Sequence, residues 1–510
     1  MNRFLPIVVV FLGTLIPTMR AQTTFDRTVD RSLWLDGRNM GGARIDYPTK
    51  VSYAEAGGGI ASGDFKAPDD ASSSWNAGAE AKTLVNYGKF STLGTFSFGQ
   101  KQGDGMDGSM FINPGRYPVD VHEFTPGKKT LQTYSFTGGL AVPLDRRWTV
   151  GGRMGFEGAN YAKRKDIRHT NYRLDLTVSP SVALNLGPWT LGASWVLSKE
   201  SESIQAEQIG TATAESYYAF LDKGLMFGTS QVWNGSGIHL AEAGVDRFAV
   251  KEIKNGGALQ VSRSFQGGEA YDDAEYLFTS GEVGEKSYTY YRFPGALLTA
   301  RAGLRLHTLR GDNLFRLGYS WKKVDNDEYV IDKVSSGGVV NPVTYGHNRV
   351  FSSRELNLSP EWTFYGEGAM SWLYRAHLEA GWNRKRQLST LMYPYSHEYS
   401  TDILGCSASA EFRLKAFRLG AGFGWMKGMP EEKASAGNVP VRQAGLWDLK
   451  AEWENASRAG ADLSLRWDLP FRAMHGIYVR ASGSFLKGFG VVHAKGDSRM
   501  EGALKIGYEF

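Results

Sequence analysis

Cysteine is nearly absent. Cys406 stands alone in 510 residues, so no disulfide forms within the chain and no thiolate cluster holds a metal. The apolar stretch at the start is shorter than the roughly 20 residues a membrane-spanning helix needs, and no other comparable run follows it. Proline is scarce, at 17 residues, and the formal net charge is only +5. No dense Lys/Arg stripe is present to neutralise phosphates, which excludes nucleic acid as the expected partner. The nine histidines do not build a catalytic motif: His122-Glu123 and His397-Glu398 do not continue as H-E-x-x-H, and there is no G-x-S-x-G elbow or Walker-type loop. The expectation is therefore a protein that is not an enzyme, with no cofactor and no metal.

What the chain has in quantity is glycine, 62 residues, and aromatics, 13%, a mixture that suits many strands and few helices. Met1 to Ala21 reads as a cleavable export signal, with basic Arg3, an apolar core from Phe4 to Pro17 and a cut before Gln22. Period-2 alternation recurs after it. Trp372, Tyr374, Ala376, Leu378, Ala380 and Trp382 alternate with Leu373, Arg375, His377, Glu379, Gly381 and Asn383. Leu463, Leu465, Trp467 and Leu469 alternate with Asp462, Ser464, Arg466 and Asp468, and the stretch 446–454 shows Trp447, Leu449, Ala451 and Trp453 against Asp448, Lys450, Glu452 and Glu454. Leu298 to Leu306 repeats the pattern against Arg301, Arg305 and His307.

A soluble sandwich and a membrane barrel both alternate in this way. Aromatics at strand ends, as interfacial girdles require, and connections alternating short (145–147, 186–188, 311–313, 365–368) with long (103–129, 326–349) favour an all-β transmembrane antiparallel barrel. Spacing predicts about 16 strands, within a range of 14–18. The expected layout is a signal peptide (1–21), a periplasmic N-terminal segment (22–47), the first half of the barrel (48–201), an extracellular loop or plug (202–295) with a short helix over Ala212 to Gly224, and the second half (296–510). The closing strand ends in Leu504, Lys505, Ile506, Gly507, Tyr508, Glu509 and Phe510.

The segment Lys223 to Glu252, with its Trp233-Asn234-Gly235-Ser236-Gly237-Ile238-His239-Leu240 patch, the signal ending Ala21-Gln22 and the terminal Phe510 together resemble an uncharacterised outer-membrane β-barrel family of Bacteroidota-type bacteria. The resemblance implies an outer-membrane location and assembly machinery that reads the aromatic terminus, Tyr508 and Phe510. It also implies a TonB-dependent receptor or a surface lipoprotein as partner in nutrient uptake.

Candidate functional residues fall in two groups. Charges on the inward face, Arg153, Arg301, Arg305, Arg375, Glu379, Glu411, Arg413, Lys450, Glu452, Arg466, Arg480 and Lys505, either set up a field across a water-filled pore or pair with one another. In the insertion, Phe220, Phe227 and Trp233 argue for order. His239, Glu242 and Asp246 share a face if helical, as metal donors do, but a solvated loop carries such residues routinely and Gly244 weakens the helix. Three functions remain open: a channel or transporter for small solutes gated by 202–295, an accessory of a TonB-dependent uptake complex, and, least favoured, an outer-membrane hydrolase.

Overall fold

The computed structural model describes residues 23–35, 37–45, 50–165, 167–207, 217–233, 248–285, 288–336, 339–470 and 476–510; at Tyr217, Tyr218 and Trp233 the description is of the backbone. In chain order the strands are β1 (Lys50–Ser62), β2 (Ser73–Asn86), β3 (Ser91–Ser109), β4 (Asp120–Pro143), β5 (Trp148–Lys163), β6 (Arg168–Leu186), β7 (Trp189–Glu207), β8 (Tyr217–Asp222), β9 (Gly228–Trp233) and β10 (Phe248–Phe265). They continue as β11 (Gly268–Glu285), β12 (Tyr288–Thr308), β13 (Gly311–Ser336), β14 (Val339–Gly366), β15 (Leu373–Ser389), β16 (His397–Leu414), β17 (Phe417–Ala434), β18 (Ser457–Asp468), β19 (Ile477–Phe489) and β20 (Ser498–Glu509). Two helices accompany them, α1 (Thr24–Arg31) and α2 (Ala444–Asn455).

Each wall strand pairs antiparallel with its neighbour, β10 pairs with β7 across the β8–β9 hairpin, and β20 pairs back onto β1. Among the described residues this closes a barrel of 18 strands, the upper end of the expected range. Closure leaves no unpaired edge, which backbone immersed in lipid requires.

The outer surface explains the alternation. Leu463, Leu465 and Trp467 point outward and are exposed, while Arg458, Asp462, Ser464 and Arg466 on the same strand are buried inside. A surface carrying Phe96, Tyr134, Phe136, Leu174, Leu176, Leu191, Trp195, Leu378, Leu504 and Ile506 exposed is stable against acyl chains and not against water. Next to the short turns stand Tyr87, Phe90, Trp148, Trp189, Phe265, Trp372, Phe417, Trp467, Tyr508 and Phe510. Phe417 stacks on Trp467 and Tyr508 on Phe510, so this end of the barrel carries an interfacial aromatic girdle.

Four local expectations change. The stretch 202–295 is not one insertion: β10, β11 and the start of β12 are wall strands, and only 208–247 stands between β7 and β10. Their outward faces mix apolar with polar groups (Lys251, Ile253, Asn255, Gly257, Leu259, Val261), and Phe248 and Val250 point inward into a core at the mouth, so the apolar alternation is lost. The expected loop 326–349 is the far part of the β13–β14 hairpin. The alternating stretch 446–454 is the helix α2; its good helix formers and the Trp447/Ala451 spacing, which place both on one packed face, outweigh the period-2 pattern. Within 212–224, the described part is strand β8 with the turn that follows it, and residues 212–216 lie outside the described residues.

Candidate functional site: a lumen closed at both ends

Residues 23–35 and 37–45 lie inside the barrel at its short-turn end, not below it. Thr23 caps α1, its side chain accepting from the Asp26 N–H in a capping box, so the segment enters the mouth as a formed helix. It then contacts the wall around much of the circumference. Thr24 donates to Glu509 at the end of β20, Arg27 donates to the Gly366 carbonyl, and Arg31 pairs with Asp312 and Glu367. Trp34 is fully buried, with Nε1 donating to Ser262 Oγ at 3.0 Å. Arg38 pairs with Glu275, and Asn39 donates to the Val182 carbonyl and to Gln260, both at 3.0 Å. Arg44 reaches Asn86 at 2.9 Å.

The wall makes room for this segment with glycine. A β-carbon at Gly303 would lie 2.7 Å from the Leu33 side chain, and one at Gly151 would lie 2.9 Å from Met40 Cβ.

The inward charges are largely engaged with one another or with this segment. Arg153 donates to the Gly37 carbonyl at 3.1 Å, Arg301 to Asp273 at 2.9 Å, and Arg305 to Glu269 and to the Arg31 carbonyl, both at 3.0 Å. Arg466 pairs with Glu509 at 2.6 Å and Asp468 at 2.7 Å. Arg480 and Lys505 converge on Glu55, which also accepts from the Tyr478 hydroxyl. Arg375 and Glu411 are cross-strand neighbours facing inward, and Glu379 lies 3.7 Å from His377. Arg413 is exposed at the short-turn end of β16. Tyr374, expected to face outward, is turned inward at a bulge between Leu373 and Arg375, and its ring lies under Arg27 and Arg418.

Lys450 and Glu452 sit on α2, above the wall. Burial would raise the Glu452 carboxyl, but the backbone N–H groups of Val492, His493 and Ala494 outweigh it and hold the group below the usual carboxylate range. This carboxylate latches α2 to the loop before β20.

The opposite mouth is roofed. Strand β8 pairs with the start of β4, from Asp120↔Asp222 to Glu123↔Ala219, and β9 folds back on it. The tip is a two-residue turn in which Leu225 (φ 57°) and Met226 (φ 59°) are both left-handed and the Phe227 N–H donates to the Gly224 carbonyl at 3.1 Å. Such turns favour Asn-Gly, and bulky residues there carry strain. Burial holds them: Leu225, Met226 and Phe227 pack with Phe351, Tyr395, Tyr399 and Trp447 on the far side of the lumen. Gly228 donates to the Val441 carbonyl and Gln443 to the Met226 carbonyl, so hairpin and α2 segment form one cover. Phe220 is fully buried in the same hairpin. Trp233 is placed by its backbone in β9, and His239, Glu242 and Asp246 lie outside the described residues.

Beneath the cover lies a cavity of about 450 Å³, bordered by Phe111, Tyr117, Leu225, Phe351 and Trp453 and by charged groups. Lys101 pairs with Asp70 and Lys385 with Glu454. Lys322 and Lys450 border the cavity without an ion pair among the described residues. A second void of about 190 Å³ lies lower, bordered by Gly37 and Arg38 of the N-terminal segment and by Arg153, Asp175, Asp273 and Arg301.

The chain belongs to DUF6850, a family of unknown function, which matches residues 42–510. The DUF6850 match begins at the short helical turn Met40–Arg44, so α1 and Trp34 precede it. No curated protein matches the chain. Among solved structures, the DUF6850 chain is similar to the outer membrane transporter YddB from Escherichia coli, at 8% identity and a TM-score of 0.42 over 90% of this chain and 81% of that one. It is also similar to the ferric yersiniabactin uptake receptor FyuA from Yersinia pestis, at 8% identity and 0.39 over 91% and 80%. A third is BauA, the ferric preacinetobactin receptor from Acinetobacter baumannii, at 7% identity and 0.38 over 90% and 80%.

The residues missed in the sequence are those of the N-terminal segment, above all Trp34, and Glu55. The capping-box spacing of Thr23 and Asp26 before the apolar run Leu33-Trp34-Leu35 was the available signal.

Proposed function

We propose that the protein is an outer-membrane barrel transporter for small solutes, closed at rest by residues 23–45 at one mouth and by the β8–β9 hairpin with α2 at the other. The observation that carries this reading is the N-terminal segment, with Trp34 buried at its centre and side chains bonded to wall strands around the lumen. A barrel of this many strands has a lumen too wide for wall side chains alone to fill, and here a separate segment occupies it. The roofed cavity, about 450 Å³ with apolar and charged borders, suits a small organic solute.

Swelling of proteoliposomes in arabinose tests it. The intact chain excludes the sugar and a variant lacking both 23–45 and the β8–β9 hairpin admits it; free entry through the intact protein overturns the reading.

A second reading, a binding component of a TonB-type uptake complex, is favoured by the far part of the β13–β14 hairpin, where Val330, Val334, Val343 and Tyr345 are exposed. Co-purification of a TonB-dependent receptor or lipoprotein that is lost when 327–348 is shortened to a tight turn would support it.

A further inference from the structure

Asp120 and Asp222 lie directly opposite each other where β4 pairs with β8, and His122, two residues on along β4, shares their face. Like charges opposed across a ladder destabilise it, and a buried carboxylate without a partner is costly. Both side chains are more than nine-tenths buried, as is His122. Among the described residues neither carboxylate has a lysine or arginine at ion-pair distance, although Lys450 borders the same cavity. The base nearest to them is His122, whose Nε2 stands 3.8 Å from Asp120 Oδ2 and 4.0 Å from Asp222 Oδ2, while Lys450 acts on both carboxylates only from beyond ion-pair distance. Those separations are too long for hydrogen bonds, and both ring nitrogens are buried without a partner.

The remaining oxygens are already committed. Asp120 Oδ1 accepts from the Ser109 hydroxyl at 2.6 Å and the Val121 N–H at 2.7 Å, and Asp222 Oδ1 accepts from the Gly224 N–H at 2.8 Å. Each carboxylate is thus oriented from behind, as metal ligands are, with its Oδ2 turned toward a bare imidazole nitrogen.

We propose that Asp120, Asp222 and His122 bind a divalent transition-metal ion that pins the roof hairpin to the barrel wall. One imidazole with two carboxylates suits Zn²⁺ and its neighbours better than Ca²⁺, which takes oxygen ligands. Contacts of about 2.0–2.2 Å are reached when the three atoms draw in from their present spacing onto an ion between them. Asp120 and Asp222 border the cavity, which supplies the ion's path and a water for a fourth position. Its charge offsets the two opposed carboxylates that otherwise weaken the β4–β8 ladder.

The site belongs to the resting protein, so its test is independent of transport. Chelator-treated full-length protein in detergent is titrated with Zn²⁺ by calorimetry, and its thermal unfolding is followed with and without the ion. The wild type takes up one equivalent at this site and its Tm rises. Asp222→Asn and His122→Gln weaken that uptake by about tenfold or more, with retained strand signal in circular dichroism showing that the barrel is folded. Asp222→Asn also raises the Tm of the metal-free protein, because the like-charge pair is gone, and abolishes the Zn²⁺-induced rise. Absence of stoichiometric uptake by the wild type, or uptake and Tm rise unchanged in both variants, overturns the assignment.

Discussion

At the scale of single residues, the inward charges act through their partners. Glu55 on β1 accepts from Arg480 and Tyr478 on β19 and from Lys505 on β20, tying the last strands to the first. Replacing Glu55 with Gln leaves two cations against a neutral amide. The expected loss is about 3–5 kcal/mol, the range for removing one partner of a buried pair, read as a lower unfolding midpoint in detergent. Arg480 and Lys505 were legible because they alternate with outward apolar residues, but Glu55 was not, since nothing local links position 55 to position 505. Glu452 gives a pH dependence with a definite sign. Its carboxyl is held low by three backbone N–H groups, so its latch contributes above the ordinary carboxylate range and is lost as pH falls through the lowered folded value. Protection of the Val492, His493 and Ala494 amides, taken relative to the intrinsic exchange rate at each pH, should fall on acidification, and Glu452→Gln should show lowered protection already at neutral pH.

At the scale of elements, the turn at Leu225 and Met226 balances two effects. Left-handed backbone costs about 1–2 kcal/mol at a non-glycine residue, whereas emptying a buried leucine site costs about 2–5 kcal/mol. Leu225→Gly relieves the first and incurs the second, so the roof should loosen, seen as faster proteolysis between 223 and 228 with the barrel intact. The same competition between local pattern and packing explains which elements were legible. Strands such as β18 and β20 read directly, since lipid on one side and a polar lumen on the other enforce two chemically distinct faces. Helix α2 and strands β10 and β11 did not, because α2 packs on the cover and the inward ends of the strands pack in the core of the mouth. On these strands the inward ends are apolar while the outward face of β10 mixes Lys251 and Asn255 with Ile253 and Leu259, so the two faces no longer differ cleanly in polarity and a period-2 reading loses its contrast.

At the scale of the whole molecule, the closed barrel followed from alternation and the aromatic girdle, while the closed lumen did not. The N-terminal segment mixes polar and apolar residues with no strand alternation and bonds to strands from β2 to β20, contacts that only the folded wall brings together. Trp34, buried among Tyr271, Leu314 and Tyr365, is its main anchor. Trp34→Ala should cost about 3–5 kcal/mol of local packing without unfolding the wall, which is held by its own ladder.

The most direct test is electrical: single-channel recording in planar bilayers of the intact chain, of a variant lacking the β8–β9 hairpin that also carries Trp34→Ala, and of a variant lacking both the hairpin and 23–45. Silence is expected from the intact protein, intermittent openings from the hairpin-free Trp34→Ala variant and steady conductance from the variant lacking both closures. Steady conductance through the intact chain, or none through the variant lacking both closures, would contradict a lumen closed at both ends.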